Sequence, residues 1–259
     1  MRQTALLISL GSLALAGIFA ACSSNPAPVI SVSSNYGPYG GKDGALASLK
    51  SKAGDWTNPY RQSGGGARQS ASSLYSQVAV KSDYLPYSAR GRTRKSMKPT
   101  YITIHSTQNW SKGADADRHA LALKRNALGK LSWHFSVDDH HAVQHLPTNE
   151  QGNHADYDGP GNKYSIGIEM CENAGNNRTQ TTDRTAKLAA WLMYKHGIPL
   201  SRVVPHYRWP RWGKNPPNKN CPYFLLDNGR PGPKWQGFLR QVDSYYRQIA
   251  ANPSSYAGR

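Results

Sequence analysis

Two histidines stand at the ends of short apolar runs, and a cysteine follows the second of them. His105 ends the run YITIH and His206 ends RVVPH, so a sheet edge could present both side chains. Cys221 lies fifteen residues after His206, within NKNCP. Two imidazoles and a thiolate, with a fourth position left to water, suit a catalytic zinc site. Spacing alone also allows each histidine to be an ordinary buried or edge residue.

One glutamate interrupts the apolar run SIGIEMC, residues 165–171. Strand alternation places Gly167, Glu169 and Cys171 on the same face. A carboxylate there is costly unless that face opens to a site or the carboxylate has a partner. Within reach of an activated water, such a carboxylate could accept a proton and deliver it to a departing nitrogen. A glutamate that is salt-bridged at a sheet edge is the alternative.

The chain has three cysteines, Cys22, Cys171 and Cys221, and they leave two interpretations of Cys221 open. If Cys22 is modified, the other two form an even pair that a disulfide could join, as is common in exported proteins. Alternatively, Cys221 is a metal-binding thiolate. Cys171 is expected to be a small buried apolar residue, although a Cys171–Cys221 disulfide in metal-free protein stays open.

The first residues have the layout of an export signal. An apolar run from 5 to 21 follows a short, positively charged N-terminal region and is shorter than a typical transmembrane helix. Ala20 and Ala21 directly precede Cys22, as in bacterial lipoprotein signals, where the cysteine becomes the acylated first residue. We therefore predict a lipoprotein signal peptide over 1–21 and lipid on Cys22. The alternative is a secreted protein that is cleaved near Ala21.

Residues 22–98 are rich in serine, glycine, asparagine and tyrosine, and their few apolar residues show no period. This composition predicts a disordered, basic tether, followed by one folded domain over 99–259. The formal charge of +17 implies an anionic partner. The basic run at 88–98 could be a nucleic-acid arm, but an exported protein meets little nucleic acid. Wall polymer or anionic lipid is the better candidate, and a solvated linker is the alternative.

Strand and helix patterns alternate after residue 99. Strands are predicted at 100–105 and 165–171, and a hairpin is predicted around Asp139–His141. These strands and the helices between them predict an α/β fold, with a central mixed β-sheet flanked by helices.

Three helices are predicted in the same region. The first ends at Gly129 and carries His119, which is expected at the surface. The second has Thr182 as its N-cap and ends at Gly197. The last helix is expected to bury one face, which comprises Trp235, Phe238, Leu239, Val242, Tyr246 and Ile249.

Five motifs together resemble a known enzyme family. TIHST, WHFSVDD, NKYSIGIEMC, VVPHYRW and NKNCP occur in the order found in zinc-dependent N-acetylmuramoyl-L-alanine amidases of type 2. This family is related to peptidoglycan recognition proteins and phage amidase endolysins. The resemblance covers residues 99–226 and implies a mixed-sheet α/β domain whose groove binds one zinc ion.

The resemblance also implies a role for individual residues. His105, His206 and Cys221 match the three zinc ligands, and Cys221 stands where other branches of the family use aspartate. Glu169 matches the general base, and Lys219 matches the lysine that stabilises the transition state. Trp133 replaces a tyrosine, so any catalytic role of that tyrosine is lost and more of the chemistry depends on Glu169.

The implied activity is hydrolysis of the amide between N-acetylmuramic acid and L-alanine in peptidoglycan. The expected protein is a monomer of the cell envelope that is held to a membrane, in the outer membrane or on the periplasmic face, by lipid on Cys22. A non-catalytic peptidoglycan-binding protein of the same fold is one alternative, but receptors of this family typically lack a zinc ligand. A basic tethering protein, in which 23–98 is the functional part, is another.

Overall fold

The structure is a computed structural model that describes residues 67–250. Within this range the chain forms a mixed α/β domain, as the sequence predicts. The helices are α1 Ala71–Val78, α2 Ala116–Lys124, α3 Pro160–Tyr164, α4 Arg178–His196 and α5 Pro233–Ala250. The strands are β1 Val80–Ser82, β2 Tyr101–Ser106, β3 Phe135–Val137, β4 Ala142–Gln144, β5 Ser165–Met170 and β6 Val203–Pro205.

The six strands form one sheet in the order β1-β4-β3-β5-β2-β6. β3 and β4 are antiparallel and form the predicted hairpin, whereas all other neighbouring strands are parallel. β2 and β5 lie side by side, and their register pairs His105 with Glu169. The sheet therefore brings together the two strands that carry the first predicted ligand and the predicted base.

The two faces of the sheet differ in chemistry. Ile104 of β2, Phe135 of β3 and Ile168 of β5 are fully buried and belong to the main hydrophobic core. That core includes apolar residues of α1, α4 and α5, so these helices cover one face of the sheet. His105 and Glu169 alternate with the core residues and project from the opposite face. One face thus supplies stability, and the other carries polar side chains.

Helix α4 shows how local chemistry sets the helix ends. Its N-cap is Asn177, five residues before the predicted cap, and the Asn177 side chain accepts a hydrogen bond from the Gln180 amide. Thr182 lies inside the helix and its hydroxyl donates to the Arg178 carbonyl, so its prediction as the N-cap was wrong. Gly197 ends the helix as predicted, with a left-handed φ of 65°.

The helix predicted to end at Gly129 is shorter than expected. α2 ends at Lys124, and Asn126 adopts a positive φ of 58°, which a continuing helix cannot accommodate. His119 on this helix is buried, contrary to the surface position predicted for it. Its Nδ1 lies 2.7 Å from the Asp115 carbonyl oxygen, which gives the buried ring a hydrogen bond.

The folded domain begins well before the predicted boundary at 98/99. Within α1, Leu74 and Val78 are fully buried in the main core, and β1 pairs with β4 at the edge of the sheet. The serines around these residues resemble a linker in composition, but the two apolar residues lie four apart on one helical face. Two buried residues are enough to dock a helix of eight. The rest of the predicted tether, 22–66, lies outside the described residues.

The basic run at 88–98 is also part of the fold. The Arg92 guanidinium donates to both Glu150 carboxylate oxygens, at 3.0 and 3.1 Å from Nε, and to the Leu85 carbonyl at 2.6 Å. Backbone bonds tie Met97 to Asn149 at 2.7 Å. The solvated-linker interpretation is therefore wrong for this segment. None of the helices within 67–250 has the length and apolarity to cross a membrane.

Candidate active site

Three side chains with metal-binding atoms converge near the carboxyl ends of strands β2 and β6. His105 lies near the end of β2, His206 follows β6 directly, and Cys221 lies in the loop before α5. One ligand atom from each lies within 4.8 Å of the others, and the two histidine Nδ1 atoms are 2.9 Å apart. All three residues are buried. Two imidazole nitrogens and one sulfur at this spacing fit a tetrahedral zinc ion with its fourth position open.

Burial keeps the two histidines neutral. It lowers the pKa of His206 to about 3, with a further contribution from the charge of Lys219. Burial also lowers the pKa of His105 well below the usual value, and neighbouring His206 and His154 reinforce this shift. A neutral imidazole has a free lone pair on one nitrogen, so both rings can bind a cation at neutral pH.

Cys221 is a free thiol in the described structure. The Ser106 amide donates to its sulfur at 3.4 Å, a contact that favours a negatively charged sulfur. Burial nevertheless raises the pKa of Cys221 to about 12. A thiolate at this position therefore needs a cation beside it, which a bound metal would supply.

Cys171, the other free cysteine among the described residues, lies in a different environment. It is buried with Ala116, Ala120 and Val143, in a small apolar cluster between α2 and the sheet. Its interpretation as a small buried apolar residue agrees with this packing.

Glu169 stands beside the metal-binding cluster on the neighbouring strand. Its Oε1 is 3.8 Å from Nδ1 of His105, and its side chain is 16% exposed. Oε2 has no hydrogen-bond partner among the described residues. Burial raises the pKa of Glu169 to about 8, although the charge of Lys219 acts against this shift. A divalent cation nearby would also lower that pKa and favour the carboxylate.

Lys219 is half-buried and lies two residues before Cys221, whose amide donates to the Lys219 carbonyl at 2.8 Å. After burial, the charge of Lys219 is the largest contribution to the pKa values of Glu169, His206 and Cys221. One positive charge therefore acts on Glu169, His206 and Cys221 together.

Other histidines are engaged elsewhere. His134 accepts a hydrogen bond from the Gly167 amide at Nδ1, at 2.9 Å, and its Nε2 lies 2.8 Å from the Glu150 carbonyl. Both of its nitrogens are therefore occupied, and His134 is a structural residue instead of a second candidate base. His140 lies in the hairpin turn with a side chain that is 82% exposed, as expected for such a position.

Trp133 is buried, and its indole N–H donates to the Ser136 hydroxyl at 2.8 Å. An indole neither donates nor accepts a proton at neutral pH, so this position contributes packing and one hydrogen bond. Glu169 therefore remains the predicted base, and its carboxylate lies beside His105.

From the sequence alone, His154 could line a groove or serve a structural role, and its contact with a predicted ligand was not expected. His154 is buried, and its Nδ1 lies 3.0 Å from Nε2 of His105. The carbonyl oxygen of the next residue, Ala155, lies 3.1 Å from Nε2 of His206. No strand pattern precedes either residue, so spacing gave no sign of them. The run NHADYDG looks exposed in the sequence, and only the folded structure shows that it lies at the site.

Comparisons with known proteins agree with this architecture. Residues 95–224 match the family model for N-acetylmuramoyl-L-alanine amidase. The chain is 43% identical over 169 residues to the N-acetylmuramoyl-L-alanine amidase CwlH of Bacillus subtilis, covering 64% of this chain and 62% of that protein. It is 46% identical over 151 residues to XlyA of the same organism, an amidase with the same description, covering 58% and 48%. The chain thus spans about half to three fifths of the length of these relatives.

Solved structures show the same fold. The catalytic domain of XlyA superposes with a TM-score of 0.56 at 43% identity, covering 64% of this chain and 99% of that domain. A mutant endolysin from Bacillus subtilis gives a TM-score of 0.56 at 44% identity, with the same coverage. The sheet, the convergent ligands and the family match over half of the sequence lead to one conclusion: the chain belongs to the N-acetylmuramoyl-L-alanine amidase family.

Proposed function

We propose that the protein is a zinc-dependent hydrolase that cleaves the amide between N-acetylmuramic acid and L-alanine in peptidoglycan. The observation that carries this proposal is the convergence of His105, His206 and Cys221 beside Glu169. The names of the relatives support the substrate class. The donor set supports zinc, because thiolate and imidazole together suit this ion.

In this proposal His105, His206 and Cys221 hold the zinc ion. Bound there, zinc supplies a Lewis acid that activates water and polarises the amide carbonyl. Glu169 is the general base: its carboxylate takes the proton of the attacking water at an Oε atom and delivers it to the departing nitrogen of L-alanine. The buried, partner-free Oε2 supports this role, because no hydrogen bond to another described residue occupies that carboxylate oxygen.

Lys219 stabilises the negative oxygen that develops on the attacked carbonyl. Its charge already acts on Glu169, His206 and Cys221, so the ammonium group lies close enough to influence charge formed in this cluster. One well-placed donor of this kind contributes about 10²–10³ in kcat.

The proposal separates residues that hold zinc from residues that act in turnover. His105→Ala, His206→Ala and Cys221→Ala should each lose bound zinc and most activity, whereas the exposed His140→Ala is a matched histidine control that should keep both. Glu169→Gln should keep zinc, because it is not assigned as a ligand, and lose about 10²–10⁴ in kcat. The measurements are zinc content by elemental analysis and release of stem peptides from purified wall. Near-normal release by Glu169→Gln with zinc retained would show that the base is wrongly assigned.

We further infer that the protein works in the cell envelope, with residues 1–21 as a signal peptide and lipid on Cys22. The apolar run and the small residues before Cys22 support this. The segment between Cys22 and α1 would then connect the lipid to the folded domain.

A further inference from the structure

A buried histidine outside the predicted ligand set contacts one of the ligands. His154 Nδ1 lies 3.0 Å from Nε2 of His105, and His154 Nε2 lies 3.2 Å from the Ser165 carbonyl oxygen. A carbonyl oxygen only accepts hydrogen bonds, so the hydrogen of a neutral His154 must be on Nε2. His154 is buried, where a charged ring without a counter-charge would be costly, so its neutral form is the relevant one.

The tautomer of His154 then determines that of His105. Because Nδ1 of His154 carries no hydrogen, it can only accept, and Nε2 of His105 must be the donor between the two rings. A neutral His105 therefore has a bare Nδ1. This is the atom that faces the predicted zinc position, 2.9 Å from Nδ1 of His206.

Ala155, the residue after His154, determines the tautomer of His206. Nε2 of His206 lies 3.1 Å from the Ala155 carbonyl oxygen, so it too must carry the hydrogen and leave Nδ1 bare. Two bare nitrogens at 2.9 Å cannot bond to each other without a cation or a proton between them. The His154 ring and the Ala155 carbonyl thus present both histidine rings to one shared cation.

The position of the segment is itself well fixed. The side-chain oxygen of Asn162 accepts from the His154 amide at 2.8 Å and from the Ala155 amide at 2.7 Å. The His154 ring lies flat against β5 at Gly167, where a Cβ would approach three ring atoms to 2.9 Å. Glycine at 167 therefore makes room for the ring, and Asn162 fixes the backbone that carries it.

We propose that His154 is a positioning residue for the metal centre. It accepts a hydrogen bond from Nε2 of His105 and so holds the His105 ring with Nδ1 directed at the metal. The inference rests on the zinc site of the proposed function. It adds a chain of contacts from Ser165 through His154 to His105, with the Ala155 carbonyl as the equivalent partner of His206. Removing such a partner of a metal-bound histidine typically lowers metal affinity by about 10–100-fold.

A matched pair of substitutions isolates the hydrogen bond from packing. His154→Asn places an amide oxygen at the same number of bonds from the backbone as Nδ1, whereas His154→Leu has similar size and no acceptor. We expect His154→Leu to lose about 10–100-fold in zinc affinity and His154→Asn to stay within a few-fold of the parent protein. Gly167→Ala should also weaken zinc binding, because it displaces the ring while His154 remains.

Zinc affinity is measured by competition with a chromophoric chelator on the full chain, and circular dichroism checks the fold of each metal-free variant. The visible spectrum of the Co²⁺-loaded protein should change in His154→Leu and stay near that of the parent in His154→Asn. If His154→Leu does not fold, His154→Gln replaces it, because its amide oxygen lies one bond further out and should not restore affinity. Equal affinities for the acceptor and non-acceptor variants would overturn the inference. A parent protein that binds zinc and cleaves wall would in that case leave the proposed function standing, whereas a parent without zinc would overturn both.

Discussion

Leu74→Ala tests whether α1 belongs to the catalytic domain. Leu74 is fully buried in the main core, and the ring of its neighbour Tyr75 stacks on Trp191 of α4 with centroids 4.0 Å apart. Replacing a fully buried leucine by alanine removes apolar burial and leaves a cavity, at a cost of about 2.7–5 kcal/mol. That cost is a large part of the ~5–15 kcal/mol that stabilises a typical domain.

The expected effect is large enough for a simple unfolding assay. In a domain of this size 1 kcal/mol lowers Tm by about 2–4 °C, so the substitution should lower Tm by roughly 5–20 °C. Ser72→Ala, on the exposed side of the same helix, is the control and should change stability by less than about 0.5 kcal/mol. Thermal unfolding of the full chain is followed by circular dichroism at one protein concentration.

Equal unfolding temperatures for Leu74→Ala and Ser72→Ala would contradict the docking of α1 on the core. If residues 71–78 were part of a tether, Leu74→Ala would unfold at the same temperature as Ser72→Ala and the parent protein. Val78→Ala provides an independent repeat, because Val78 is also fully buried on the same helical face.

Three further predictions concern the site and the anchor. Cys221→Asp should keep some zinc and some activity, because a carboxylate oxygen also binds zinc, whereas Cys221→Ala should lose both. Equal zinc content in the two variants would contradict the assignment of Cys221 as a ligand. Lys219→Met should lower kcat and kcat/KM together by about 10²–10³ with zinc content unchanged, and a change in KM alone would indicate a binding role instead. Cys22→Ser should release the protein from the membrane fraction, and unchanged fractionation would rule out the lipid anchor.

The sequence predicted those parts of the fold that have a strong period. The strand predicted at 165–171 and the last helix have clear alternation or helical spacing, and both form. Of the six residues predicted to be buried on that helix, Trp235, Phe238, Val242 and Ile249 are buried, whereas Leu239 and Tyr246 are half-buried against the core. The N-cap of α4 was misplaced because Thr182 is an acceptable cap, although asparagine, the residue type at 177, is the preferred one of the two. In the structure Asn177 caps the helix, and Thr182 bonds back to the Arg178 carbonyl.

The folded segment before residue 99 was missed for a different reason. α1 has two fully buried residues within a serine-rich run, so its stability comes from docking on the core and not from its own composition. Composition averages over such a segment and cannot detect a tertiary contact. The boundary of a domain depends on those contacts.

The candidate site also combines residues that sequence patterns indicate with residues that only the structure places there. His105 and His206 could be singled out because each ends an apolar run, and the structure brings both to one sheet edge with Cys221. The contact of His154 with His105 could not be predicted from the sequence, since His154 lies in a loop whose position depends on Asn162 and on the space above Gly167. Such loop contacts become visible only in the folded chain.

The most direct test of the central claim is mass spectrometry of purified peptidoglycan after digestion by the zinc-loaded protein. We expect stem peptides with a free amino group on L-alanine, together with glycan strands whose N-acetylmuramic acid has a free lactyl carboxylate. Chelation should abolish these products, and added zinc should restore them. Wall that remains intact after digestion by the zinc-loaded protein, or products cut within the glycan or the peptide with the muramic acid–alanine amide unbroken, would contradict it.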